Sequence, residues 1–145
     1  MRGSLLSWQA WALASAAFAA LTAIFAKVGV DGVGADFATF VRTLVIVAVL
    51  GALLTASGQW QAPGSVSGRS WLFLVLSGLA TGGSWLCYFR ALTLGEAARV
   101  APLDKLSVVL VAVFGVLILG ERLSGLNWLG VGLIALGAVL VAVKG

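Results

Sequence analysis

Histidine is absent from this chain, cysteine occurs once, at Cys87, and charged residues make up only 10% of it. A lone cysteine excludes an intrachain disulfide, and without histidine there is neither a Cys/His metal site nor a Ser-His-Asp triad. No glycine-rich phosphate loop occurs. Gly82-Gly83, Gly130, Gly132 and Gly137 sit inside apolar runs, where glycine allows close helix approach. The formal net charge of +4 is scattered along the chain, which argues against a nucleic-acid partner. So few charges cannot cover a soluble domain, which needs roughly a quarter of its residues charged. No enzyme activity, metal or cofactor is expected.

What is present is apolar length. Hydrophobic residues make up 61% of the chain, and its mean hydropathy is +1.12. Taking about 20 mostly apolar residues per crossing, the chain reads as five spans, at about 7–28, 36–56, 70–94, 97–119 and 126–143. The expected fold is an all-α integral membrane protein, a single domain over 1–145, in the cell (inner) membrane. The first run is about 22 residues, too long for the apolar core of a cleaved signal peptide. Although Ala17-Phe18-Ala19 looks like a cleavage site, the apolar run continues to Phe25, and the span is expected to be retained. An odd number of crossings puts the two ends on opposite faces.

With the N-terminal face called A, that face carries Arg2, Arg69 and Arg122, and face B carries Lys27, Arg99 and Lys144, with Arg90 near the end of the third span. The Lys/Arg excess that sets orientation is therefore almost nil. A chain without an orientation bias inserts both ways up, which lets two copies pair as an antiparallel homodimer. Alternatively, Lys27, Arg90 and Arg99 together fix face B inside. Pairing also gives polar groups within a thin five-helix bundle partners away from lipid. Inverted repeats around a midplane site are a common route to alternating access, and an antiparallel dimer builds them from two copies of one chain.

Several polar residues lie within the spans. Arg42 is about six residues into the second span, at roughly 9 Å depth for 1.5 Å rise per residue. It either snorkels to the face B interface or faces a cavity. Lys27, at the end of the first span, reads as an interface anchor. In the fourth span, Pro102 removes the backbone bond to the Ala98 carbonyl, so the helix starts or kinks there. Asp104 and Lys105 follow, about 100° apart on a helix, so at least one points into the protein. They form either a structural ion pair or a group whose protonation is coupled to substrate occupancy. In the third span, Trp85 stands three residues before Tyr88 and four before Phe89, giving one aromatic face. That strip either packs helices or walls a pocket, with Gly82, Gly83 and Ser84 leaving room one turn away. Trp8, Trp11, Trp60, Trp71 and Trp128 fall near span ends, as an aromatic belt requires.

These segments together resemble the drug/metabolite transporter superfamily, specifically its half-length EamA-type members with five spans. The resemblance covers nearly the whole chain. It rests on Phe25-Ala26-Lys27, on the 37–42 segment ending at Arg42, on Tyr88-Phe89-Arg90-Ala91-Leu92, on the run from Val100 through Pro102-Leu103-Asp104-Lys105 to Ser107, and on Leu119-Gly120-Glu121-Arg122-Leu123. It implies a transporter of small metabolites. Full-length relatives have ten spans in two inverted halves, so a half-length chain needs a second copy or a paralogue.

The function expected is therefore a secondary transporter of small organic metabolites working by alternating access as an antiparallel homodimer of ten helices, with membrane lipid, a small-molecule substrate and protons as partners. Two other functions compete, a dual-topology passive channel and a small subunit that stabilises a partner. A channel needs a continuous polar file, yet the fourth and fifth spans are apolar beyond Lys105. A scaffold has no use for Arg42, Asp104 and Lys105, each costing about 3 kcal/mol at mid-helix on insertion scales. Counting Arg42, Arg90 and Lys105 against Asp104 gives the semi-buried set a net charge of +2. That disfavours a pocket for a lipophilic cation and favours a carboxylate-bearing or zwitterionic solute, such as an amino-acid-like metabolite, and export is the direction expected. The candidate site residues are Asp104, Lys105, Arg42, Arg90, Trp85 and Tyr88, with Pro102 as the helix break.

Overall fold

Hydrocarbon offers the backbone no water, so a chain this apolar must satisfy its peptide groups internally. A computed structural model describes residues 7–143, which are mostly helical, with no strand among them. Arg2 and Lys144, counted above for the two faces, lie outside the described residues. The helices are α1 (Ser7–Gly29), α2 (Ala35–Ser57), α3 (Gly68–Leu94), α4 (Ala97–Asp104), α5 (Ser107–Leu119) and α6 (Gly125–Ala142). Five segments are long and apolar enough to cross a membrane: Trp8–Gly29, Ala35–Ser57, Gly68–Leu94, Ala97–Leu119 and Gly125–Ala142.

Local chemistry sets where the helices begin and end. Asp36 occupies the first turn of α2, where the positive end of the helix dipole favours an anion. The same helix stops at Gly58, left-handed at φ 65 and ψ 20, with the Gln59 N–H donating to the Leu54 carbonyl at 3.2 Å. The Ser67 and Ser124 hydroxyls accept backbone N–H bonds from Ser70 at 3.1 Å and Asn127 at 3.2 Å, capping α3 and α6. Between α2 and α3, a 3-10 turn spans Pro63–Ser65. The indole N–H groups flanking it are satisfied, Trp60 by the Thr55 hydroxyl at 3.1 Å and Trp71 by the Pro63 carbonyl at 3.2 Å. Both rings thus present an apolar body with a bonded polar tip, the form suited to an interface.

The fourth span is interrupted past its proline. Pro102 lies inside α4, and the interruption falls at Lys105 and Leu106. Without an N–H on Pro102, the Ala98 carbonyl loses its partner one turn on. The chain then tightens. Lys105 N–H is shared between the carbonyls of Ala101 at 3.3 Å and Pro102 at 3.0 Å, and Leu106, Val108 and Val109 each donate three residues back, at 3.1, 3.0 and 3.0 Å. Bonds of that span are those of a 3-10 helix.

The chain divides into two compact units. In the first, residues 7–25 and 94–143, α4 and α5 both pack on α6. Here the Glu121 N–H donates to the Gly115 carbonyl at 3.0 Å, and the Glu121 side chain folds over buried Gly115, where a Cβ would lie 2.5 Å from Oε2. The second unit, residues 26–93, holds the last turn of α1 with α2 and α3. Its core is small: Ala26, Val30, Thr39, Phe89 and the fully buried Leu92. Most other apolar side chains face outward, Leu117 and Ile118 at 74% exposure each. Lipid tails are as apolar as leucine, so such faces carry no penalty in a bilayer. The hydroxyls of Thr22, Thr39, Thr43, Thr55 and Thr81 each donate at 2.8 Å to the carbonyl four residues back, which satisfies them without a second helix.

Candidate functional site

The second unit gathers most of the candidate residues. Trp85, Tyr88 and Phe89 share one face of α3, with Trp85 and Tyr88 edge to face at 5.5 Å and Trp85 and Phe89 tilted at 5.9 Å. Arg42, projecting from α2, meets that face. Its Cζ lies 3.2 Å from the centroid of the Trp85 ring and 5.9 Å from that of Phe89. Phe89 is buried while Trp85 and Tyr88 are half-buried, so the strip is anchored on one side and accessible on the other. Among the described residues, no carboxylate pairs with Arg42. A guanidinium over an indole face spends none of its five N–H donors on that contact, and a guanidinium fork can grip a carboxylate with two parallel bonds.

Arg90 is engaged differently. Its Nε donates to Asp36 Oδ1 at 3.2 Å and its Nη2 to Asp36 Oδ2 at 2.9 Å. Both side chains are more than half exposed, so water screens the pair. The bridge fixes the start of α2 against the end of α3. Asp36 is the carboxylate that the sequence count passed over, and its place in the first turn of α2 was the available signal. With Asp36 included, the cations Arg42, Arg90 and Lys105 face the anions Asp36 and Asp104, three minus two, leaving +1 in place of +2. Arg42 is the cation left over.

Lys27 reads from the sequence as an interface anchor. Its Nζ donates to the Leu92 carbonyl in the last turn of α3, at 2.6 Å. An open cleft of about 490 Å3, lined by Lys27, Val28, Val30, Asp31, Gly32 and Thr93, lies beside that bond.

In the first unit, Asp104 and Lys105 pair with each other, Nζ to Oδ2, at 3.2 Å. The Asp104 side chain is 35% exposed and that of Lys105 55%. The pair sits where the fourth span passes through its 3-10 turn, two residues beyond Pro102. Nearby, Arg99 donates to the Val143 carbonyl at 3.0 Å, tying the start of α4 to the end of α6. Among the described residues, no group of His, Cys, Asp and Glu could hold a metal ion.

Residues 6–143 match the EamA-like transporter family. A Sinorhizobium protein described as "Uncharacterized transporter in cobO 3'region" is 69% identical over 137 residues, which cover 94% of this chain and 97% of that protein. No solved structure matches the chain. A family match over nearly the whole length and five helices able to cross a membrane together make this a multi-pass membrane transporter, and the chain belongs to the EamA-like transporter family.

Proposed function

We propose that the protein is a secondary transporter in the cell (inner) membrane that exports a small amino-acid-like or carboxylate-bearing solute by alternating access, coupled to protons. One observation carries the substrate class: Arg42 is an intramembrane cation stacked on Trp85 with no carboxylate pairing among the described residues. An uncompensated charge at that depth is costly and is kept where a ligand or pathway uses it. A solute carboxylate supplies the missing anion, and Trp85 with Tyr88 supplies an apolar wall for the solute body. Asp104, paired with Lys105 beside the 3-10 turn, is the group assigned to proton coupling. It stands at a point of the span where the helix changes pitch.

The functional unit is an antiparallel homodimer of ten helices. Five spans cannot surround a midplane site as two inverted repeats do, and a second copy in the opposite orientation completes the arrangement. The test is solute-driven proton flux in proteoliposomes of the purified protein, screened over a metabolite panel. Amino-acid-like carboxylates should move protons and permanently cationic solutes should not. A response confined to cations, or uptake of every solute without saturation, would overturn the proposal in favour of a cation carrier or a channel.

A further inference from the structure

The last turns of α1 and α3 end beside the same open cleft, about 490 Å3 in volume. Each helix C-terminus carries roughly half a negative charge on its unpaired carbonyls. Lys27 and Asp31 both line the cleft and cancel formally, so the two helix ends leave the site electronegative. The Leu92 carbonyl already holds an ammonium there, the Nζ of Lys27, at 2.6 Å. Among the described residues the Asp31 carboxylate has no hydrogen bond or ion pair. The Thr93 hydroxyl donates to the Arg90 carbonyl at 2.7 Å, which leaves its oxygen to accept.

We propose that this cleft binds a primary ammonium group, held by the Asp31 carboxylate, the Thr93 hydroxyl and the carbonyl end of α3, in competition with the tethered ammonium of Lys27. The volume falls within the range of roughly 300–1,000 Å3 typical of small-molecule sites, so it accepts the body that carries the amine as well as the amine itself. Lys27 acts as a placeholder. It keeps the Leu92 carbonyl bonded when the cleft is empty and gives it up to a ligand with the same three N–H donors. The amine comes either from a soluble solute or from an aminophospholipid headgroup at the membrane surface. The inference stands apart from the carrier reading, since it invokes neither Arg42 nor transport.

The experiment uses the full chain in phosphatidylcholine nanodiscs, with Cys87→Ser as background and Val28→Cys as the reporter in the cleft. Rates of modification by 2-aminoethyl and 2-sulfonatoethyl methanethiosulfonate are compared with those at a reference Gln61→Cys in the loop between α2 and α3. The amine-to-sulfonate rate ratio should be at least about tenfold higher at position 28 than at position 61, a difference of about 1.4 kcal/mol. Methylammonium should slow the aminoethyl reagent saturably, whereas tetramethylammonium, equal in charge but without N–H donors, should not. Asp31→Asn should weaken this protection severalfold, and Lys27→Met should strengthen it. Unchanged rates at position 61 in these variants report an intact fold. Equal ratios at the two positions, equal protection by both cations, or loss of protection in Lys27→Met would each overturn the proposal. Adding phosphatidylethanolamine to the nanodiscs separates the two sources: a lipid ligand protects position 28 by itself, and a soluble amine leaves methylammonium protection unaltered.

Discussion

The guanidinium carbon of Arg42 sits 3.2 Å from the centre of the Trp85 ring, joining a cation from α2 to the aromatic face of α3. Two residues far apart in sequence thus form one surface, charged at its edge and apolar across its breadth. If that surface receives the solute, Arg42→Lys keeps the charge and loses the planar fork, and Arg42→Gln loses both. Transport in proteoliposomes should show a raised KM for both variants, larger for glutamine, at about tenfold or more. That corresponds to the roughly 1.5–3 kcal/mol of hydrogen bonds to a charged group. Wild-type transport in the lysine variant would leave Arg42 as a snorkelling residue only.

Trp85 should matter through its ring rather than its volume. Trp85→Leu removes the π face and is expected to lower stability in detergent by about 0.5–2 kcal/mol, with Trp85→Phe in between. Thermal unfolding followed by light scattering and tryptophan-free labelling at Cys87 would check the order. Equal stability in all three forms would mean that the contact contributes nothing.

The bridge between Arg90 and Asp36 is exposed on both sides. Asp36→Ala and Arg90→Ala should each change transport modestly, and the double variant should do no more than either alone, because both remove the same pair. The charge-reversed pair, Asp36→Arg with Arg90→Asp, should recover part of the activity. Additive losses would indicate that the two residues act separately.

Asp104→Asn should abolish proton movement while leaving a folded protein and solute exchange. Its neighbour Lys105 lies 3.2 Å away, so the variant leaves a cation unpaired, and Asp104→Asn with Lys105→Gln controls for that charge. Proton flux equal to wild type in the single variant would make the Asp104 and Lys105 pair structural.

Both orientations should occur in the membrane, given near-equal Lys/Arg counts on the two faces. Val33→Cys and Gln61→Cys, placed singly in a Cys87→Ser background, should each be labelled partly from both sides by an impermeant reagent. Labelling from one side only would remove the antiparallel homodimer.

The helices were legible in the sequence because an apolar run of about 20 residues has one stable form in lipid, the helix that bonds its own backbone. Pro102 likewise announced irregularity in the fourth span. Its location was not legible, because the freed Ala98 carbonyl is only the start of the disturbance. The shared bonds of Lys105 and the shift to three-residue spacing carry it on to Lys105 and Leu106. The aromatic strip followed from three- and four-residue spacing on one helix. Sequence periodicity says what shares a face and nothing about what that face meets.

Partner choice belonged to the tertiary structure. Arg90 and Asp36 are 54 positions apart, and Lys27 and Leu92 are 65 apart. Counted from sequence, Arg90 was one of three cations set against Asp104 alone, and Lys27 read as an interface anchor. Folding pairs the first with a carboxylate and sets the second on a carbonyl, so that of the three cations counted at the candidate site Arg42 is the one with no carboxylate pairing among the described residues. The physical reason is that secondary structure in a membrane is dictated by the solvent along each segment, whereas the fate of a charge depends on which opposite dipole or carboxylate another segment brings within about 3 Å. Apolar length fixes the one; only the approach of α1, α2 and α3 within their unit decides the other.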